Sequence, residues 1–140
     1  MRYMLIMRTT EEAIEASKSM DFEEIIAAMG AYNESLMKAG VLLAGEGLSG
    51  AEEGFVVDFD SDPPVVTDGP YAEAKELFSG FWILQVASKE EAAQWASRCP
   101  LGPGVKLEVR RVTEVEDFPA DNEWIQKEEK WREELDQRTS

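Results

Sequence analysis

Apolar and polar positions change period along the chain, and each change predicts an element. Tyr3, Leu5 and Met7 alternate with Arg2, Met4, Ile6 and Arg8, the two-residue period of a strand over residues 2–8. Thr9-Thr10-Glu11-Glu12 has a capping-box pattern and predicts a short, mostly polar helix to about Lys18. Asp21 with Glu24 opens a longer helix, in which Phe22, Ile25, Ile26, Met29, Tyr32, Leu36 and Met37 recur at three- and four-residue steps. Gly40 supplies the left-handed residue that closes it.

Val41 to Leu48 reads as a strand interrupted by Gly45 and Gly47, which points to a bulge or to a close approach on the backbone. Gly54 to Phe59 is a further strand, with Phe55, Val57 and Phe59 on one face. Asp60-Ser61-Asp62-Pro63-Pro64 is a turn, and Val65-Val66 a short strand. Phe81 to Ala87 is apolar on both faces, with Phe81 and Ile83 on one and Trp82, Leu84 and Val86 on the other. A sheet with one wet face would alternate cleanly. Two apolar faces need two covers, and this chain has too few helices for both, so a second subunit is expected. Ser88-Lys89-Glu90-Glu91 caps another helix, with Ala92, Trp95, Ala96 and Cys99 inward. Val105, Leu107 and Val109 mark the last amphipathic strand.

From Thr113 the composition shifts. The last 28 residues hold ten acidic and four basic side chains, with Trp124, Trp131 and Leu135 spaced seven and four apart. That predicts a helical extension over 113–140 with one narrow apolar stripe, laid across the protein's own surface or offered to a partner.

A chain of 140 residues suits one domain. Its net charge of −15 repels phosphate backbones and argues against nucleic-acid binding. No apolar run approaches the roughly 20 residues of a membrane span, and the charged N-terminus is unlike a signal peptide. One cysteine and no secretion signal suit a reducing cytoplasm. The chain has no histidine. That excludes Ser-His and Cys-His catalysis and, with a single Cys99, leaves no zinc or iron–sulfur site. Neither a metal nor a cofactor is expected, an all-oxygen magnesium or calcium site being the one metal chemistry the composition leaves open.

Val66-Thr67-Asp68-Gly69-Pro70-Tyr71-Ala72-Glu73-Ala74-Lys75-Glu76, followed by Ser79-Gly80-Phe81-Trp82, resembles the signature of the YCII-related superfamily in its DGPF-domain branch. Tyr71 stands where that pattern has Phe, and Ser79 where it has a first Gly. The resemblance covers roughly residues 1–112. It implies an α+β, ferredoxin-like sandwich with an antiparallel sheet that pairs into a dimeric α/β barrel, the C-terminal helix lying outside it. It also implies a regulatory or stress-linked setting. Other branches include enzymes of small lactone-like compounds that are thought to use a His–Asp pair, which this chain lacks.

Two readings of the Asp-Gly-Pro-Tyr segment stand side by side. In one it is a turn that fixes how the chain leaves the sheet. In the other Asp68, Gly69, Pro70, Tyr71, Glu73 and Lys75 line a cleft between the sheet and the long helix, with Asp68, Glu73 and Lys75 as candidate catalytic groups. Arg8, Tyr32 and Glu46 are further candidates; Glu46, between two glycines, is the best placed. The expected function is a small-molecule-binding homodimer without catalysis. The alternative is an isomerase, lyase or dehalogenase-like enzyme working through carboxylates and a lysine.

Overall fold

The structure, a computed structural model, describes residues 1–69 and 75–139. In chain order its elements are β1 (Arg2–Thr9), α1 (Glu11–Ser17), α2 (Phe22–Lys38), β2 (Leu42–Gly47), β3 (Phe55–Asp58), β4 (Val65–Asp68), β5 (Leu77–Gln85), α3 (Lys89–Ser97), β6 (Lys106–Arg111) and α4 (Glu123–Thr139). Four strands make an antiparallel sheet in the order β2-β5-β1-β6, and β3 with β4 forms a separate hairpin. Apart from α1, the hairpin and α4, this is the ferredoxin-like βαββαβ topology.

The helix starts follow the caps in the sequence. Thr10 Oγ1 accepts the Ala13 N–H at 3.1 Å, Asp21 accepts from Glu23 at 3.0 Å, and Ser88 accepts from Glu91 at 3.1 Å. Thr9, expected in the first cap, stays in β1 and is buried. Gly40 closes α2 with φ 71°.

The core lies between α2, α3 and one face of the sheet. Tyr3 and Leu5 of β1 meet Trp82 and Leu84 of β5, under Tyr32 and Leu36 of α2 and Ala92 of α3. Leu5, Leu36 and Leu84 are wholly enclosed, each worth about 1.5–3 kcal/mol of burial. The buried stripe of α2 is narrower than its sequence implies. Phe22, Ile26 and Met37 are 71, 54 and 64% exposed, because only the Tyr32–Leu36 side of the helix rests on the sheet.

On the opposite sheet face Met4 pairs with Ile83 and Ile6 with Phe81. None of the four is buried. After β6, Glu114 accepts two hydrogen bonds of 2.8 and 3.1 Å from Arg2, and Asn122 caps α4 by accepting from Trp124 and Ile125. Ile125, Glu128 and Arg132 turn towards Arg2 and Glu114, while Trp124 and Trp131 stay more than half exposed.

Candidate functional site: a glycine-floored cleft under α2

Strand alternation puts Gly45 and Gly47 of β2 and Gly80 of β5 on the helix-covered face, in register with Trp82. Without side chains there, the sheet surface is bare backbone and leaves a cleft of about 290 Å³ beneath α2. Met7, Met29, Leu42 and Trp82 form its apolar walls, and Asn33 contributes an amide. The glycines differ in what they permit. A Cβ on Gly80 would stand 3.0 Å from the Glu46 carbonyl oxygen, and one on Gly45 3.1 Å from Trp82 Cδ1. One on Gly47 would meet nothing within 4 Å.

The wall is locked in place. Trp82 Nε1–H donates to Asn33 Oδ1 at 2.8 Å, and the Tyr32 ring meets the indole edge-on at 5.8 Å and 87°. Tyr32 O–H donates to the Trp95 carbonyl at 2.9 Å, and burial pushes its pKa up to about 12. With its oxygen engaged by Trp82, Asn33 keeps its amide N–H groups as the donors on offer.

The YCII-related domain model matches residues 1–116. The chain belongs to the YCII-related family. An uncharacterised protein of Rhizobium meliloti is 26% identical over 96 residues, covering 69% of this chain and 77% of that protein. The 5-chloro-2-hydroxyhydroquinone dehydrochlorinase of Burkholderia phenoliruptrix, solved with 2,5-dihydroxybenzoquinone, is 15% identical with a TM-score of 0.47, over 85% of this chain and all of that one. The α4 helix lies beyond the YCII-related match.

Within this YCII-related domain the described residues singled out from sequence do not gather at one place. Glu46 borders the α2 cleft, but alternation sets it opposite Phe81, on the other sheet face from Gly45 and Gly47. Its carbonyl, not its carboxylate, is what reaches Gly80. Arg8 stands at the end of β1, 3.4 Å from Glu76 and 3.6 Å from Glu108, and Lys106 reaches Glu76 at 3.3 Å. The Arg8 Nε is buried without a hydrogen-bond partner. Asp68 ends β4 opposite Phe55, and the Gly69 N–H donates to the Gly54 carbonyl at 2.9 Å. Asp68 and Lys75 are exposed and line neither this cleft nor the larger one beside α1. Pro70, Tyr71 and Glu73 lie outside the described residues.

Of the cleft residues only Glu46 is a site candidate from sequence, with Gly45 and Gly47 marked as a close approach; Met7, Met29, Asn33, Leu42, Gly80, Phe81 and Trp82 are not picked out there. A signal was available, since Met29 and Asn33 sit four apart on one side of α2 and Gly80 faces the Gly45/Gly47 pair. Among the described residues no group of three or more His, Cys, Asp or Glu could hold a metal. Burial pushes the Cys99 thiol up to about 11, which leaves it protonated and unreactive at neutral pH. No described helix is long and apolar enough to cross a membrane.

Proposed function

We propose that this YCII-related protein is a small-molecule-binding homodimer that holds its ligand in the α2 cleft without acid–base catalysis. The supporting observation is the lining: two methionines, Leu42, Phe81, an indole, three glycines and one amide, with Glu46, the one carboxylate residue bordering it among the described residues, assigned by alternation to the far face. Such a surface favours a flat, mostly apolar compound, stacked beside Trp82 and Met29 and accepting a hydrogen bond from Asn33. At about 290 Å³, the cleft lies at the small end of ligand pockets, which suits a single ring. The catalytic alternative would run on Asp68, Glu46 or Glu73 with Lys75; Asp68 and Lys75 are exposed and do not border the α2 cleft, and Glu73 lies outside the described residues. A binder without turnover is suited to sensing its ligand, which is the regulatory reading.

The test is a panel of single-ring aromatic compounds, read by tryptophan fluorescence and thermal shift. Gly47→Leu is the control, because its side chain enters open space. At least one compound should quench and stabilise the wild type and lose both effects in Gly47→Leu. If every compound acts alike on the two proteins, the cleft is not the binding site. The homodimer is supported by Met4, Ile6, Phe81 and Ile83, an apolar patch that the chain itself only partly buries, and sedimentation velocity decides it.

A further inference from the structure

We propose that the β3–β4 hairpin is an arm that reaches across to a second copy of the chain and lies on that copy's open sheet face. This rests on the homodimer reading above and names the segment that completes its interface. Every residue from 55 to 68 is exposed. Phe55 and Phe59 are 64 and 78% exposed, and Val56, Val57, Val65 and Val66 stand in solvent beside them. Register sets Phe55, Val57 and Val66 on one face of the hairpin and Val56 and Val65 on the other. Among the described residues the two strands join no other sheet. A lone two-stranded ribbon is marginal in water and needs a sheet or a helix against it. Contiguous apolar surface of this kind marks an interaction site.

Two observations say what covers it. The first is area. Met4, Ile6, Phe81 and Ile83 make a small patch of side chains that are already partly buried. Alone it falls short of the roughly 800 Å² a side that a stable interface takes. Phe55 and Phe59 add roughly 100–200 Å² each, and the valines extend that further. The second is charge. Residues 55–68 carry Asp58, Asp60, Asp62 and Asp68 and no cation. Register places Arg110 opposite Met4, Glu108 opposite Ile6 and Lys106 opposite Arg8, so β6 borders the patch. Arg8, Lys106 and Arg110 there outnumber Glu76 and Glu108, an excess of positive charge in a chain whose net charge is −15. The Lys106 and Arg110 side chains are 66 and 72% exposed. An ammonium has three N–H donors and a guanidinium five, so one neighbouring carboxylate exhausts neither. The acidic tip of the arm, Asp60-Ser61-Asp62, meets this border on the second copy while its phenylalanines and valines cover the patch.

The experiment is sedimentation of the full chain with charge-reversed pairs. Asp60→Lys with Asp62→Lys makes the arm tip basic, and Lys106→Glu with Arg110→Glu makes the border acidic. Each set alone should weaken its own dimer about tenfold or more. The first set also makes the chain less acidic, which by itself favours pairing, so its weakening reports a local contact. Mixed in equal amounts, the two variants should form a mixed dimer close to wild-type affinity, because each arm then meets a border of opposite charge. Phe55→Ser with Phe59→Ser should also weaken the dimer about tenfold or more. All six side chains are exposed, so the subunit fold is not at stake, and circular dichroism checks it. The arm is overturned if the serine variant pairs as tightly as the wild type. It is equally overturned if the mixture pairs no better than either variant alone, since arm and border then do not meet between copies. Either result leaves the homodimer standing, whereas a monomeric wild type removes the homodimer and the arm together.

Discussion

At the scale of single residues, Tyr32 ties the core to the α2 cleft. Its ring supports Trp82, and its hydroxyl reaches the Trp95 carbonyl. The phenol pKa rises from 10.0 to about 12 because burial disfavours the charged form. The folded state therefore keeps this proton longer than the unfolded chain does. Its contribution is complete below pH 10 and is lost as pH rises through about 12. Cys99, raised from 9.0 to about 11, adds a lower step to the same alkaline limb. Tyr32→Phe should cost about 1 kcal/mol at neutral pH through the lost hydrogen bond and remove the upper step. Urea unfolding across the alkaline range measures both, and an unchanged limb would refute the assignment. The sequence showed Tyr32 as a core residue through its place in the apolar stripe. It could not show Asn33 as the partner of Trp82, because that bond joins residues 49 positions apart.

At the scale of elements, caps were readable and pairings were not. The starts of α2 and α3 follow Asp21 and Ser88, since a cap is a local hydrogen bond between neighbours. The glycines of β2 were expected to mark a bulge or a close approach. The irregularity falls between Leu42 and Ala44, and the close approach falls at Gly45 and Gly80. Residues 54–59 and 65–66 were readable as strands, but alternation does not encode which strand joins which sheet. Among the described residues they pair only with each other and leave Phe55, Val57 and Val66 exposed. The C-terminal helix was visible from its stripe and its acidic composition, while the Arg2–Glu114 pair beside it joins residues 112 apart. Hydrogen bonding from Arg2 holds the Glu114 carboxyl below its usual pKa, so this link is present above that usual value and weakens as pH falls through the lowered one. Glu114→Gln should therefore speed amide hydrogen exchange across α4 several-fold at neutral pH while leaving β1 and β5 protected. Equal exchange in both proteins would show that the Arg2–Glu114 pair does not hold the helix.

At the scale of the whole molecule, the two-faced strand carries the expectation of a partner, and the register now says which side chains would meet it. Met4, Ile6, Phe81 and Ile83 form one apolar patch of cross-strand pairs, bordered by Arg8, Lys106, Glu108 and Arg110. A second copy on this face would bury the patch, as a stable interface of roughly 1,600 Å² requires. Each subunit brings a net charge of −15, so the long-range electrostatic term opposes pairing while apolar burial favours it. Salt separates the two. If burial drives association, added salt screens the repulsion and tightens the dimer; if the bordering ion pairs drive it, salt loosens the dimer. The wild type should sediment as a dimer at micromolar concentration and dissociate less at high salt. Ile6→Lys combined with Phe81→Lys should give a folded monomer, because neither residue belongs to the buried core. A wild type that stays monomeric, or a double variant that remains a dimer, removes this face as the interface.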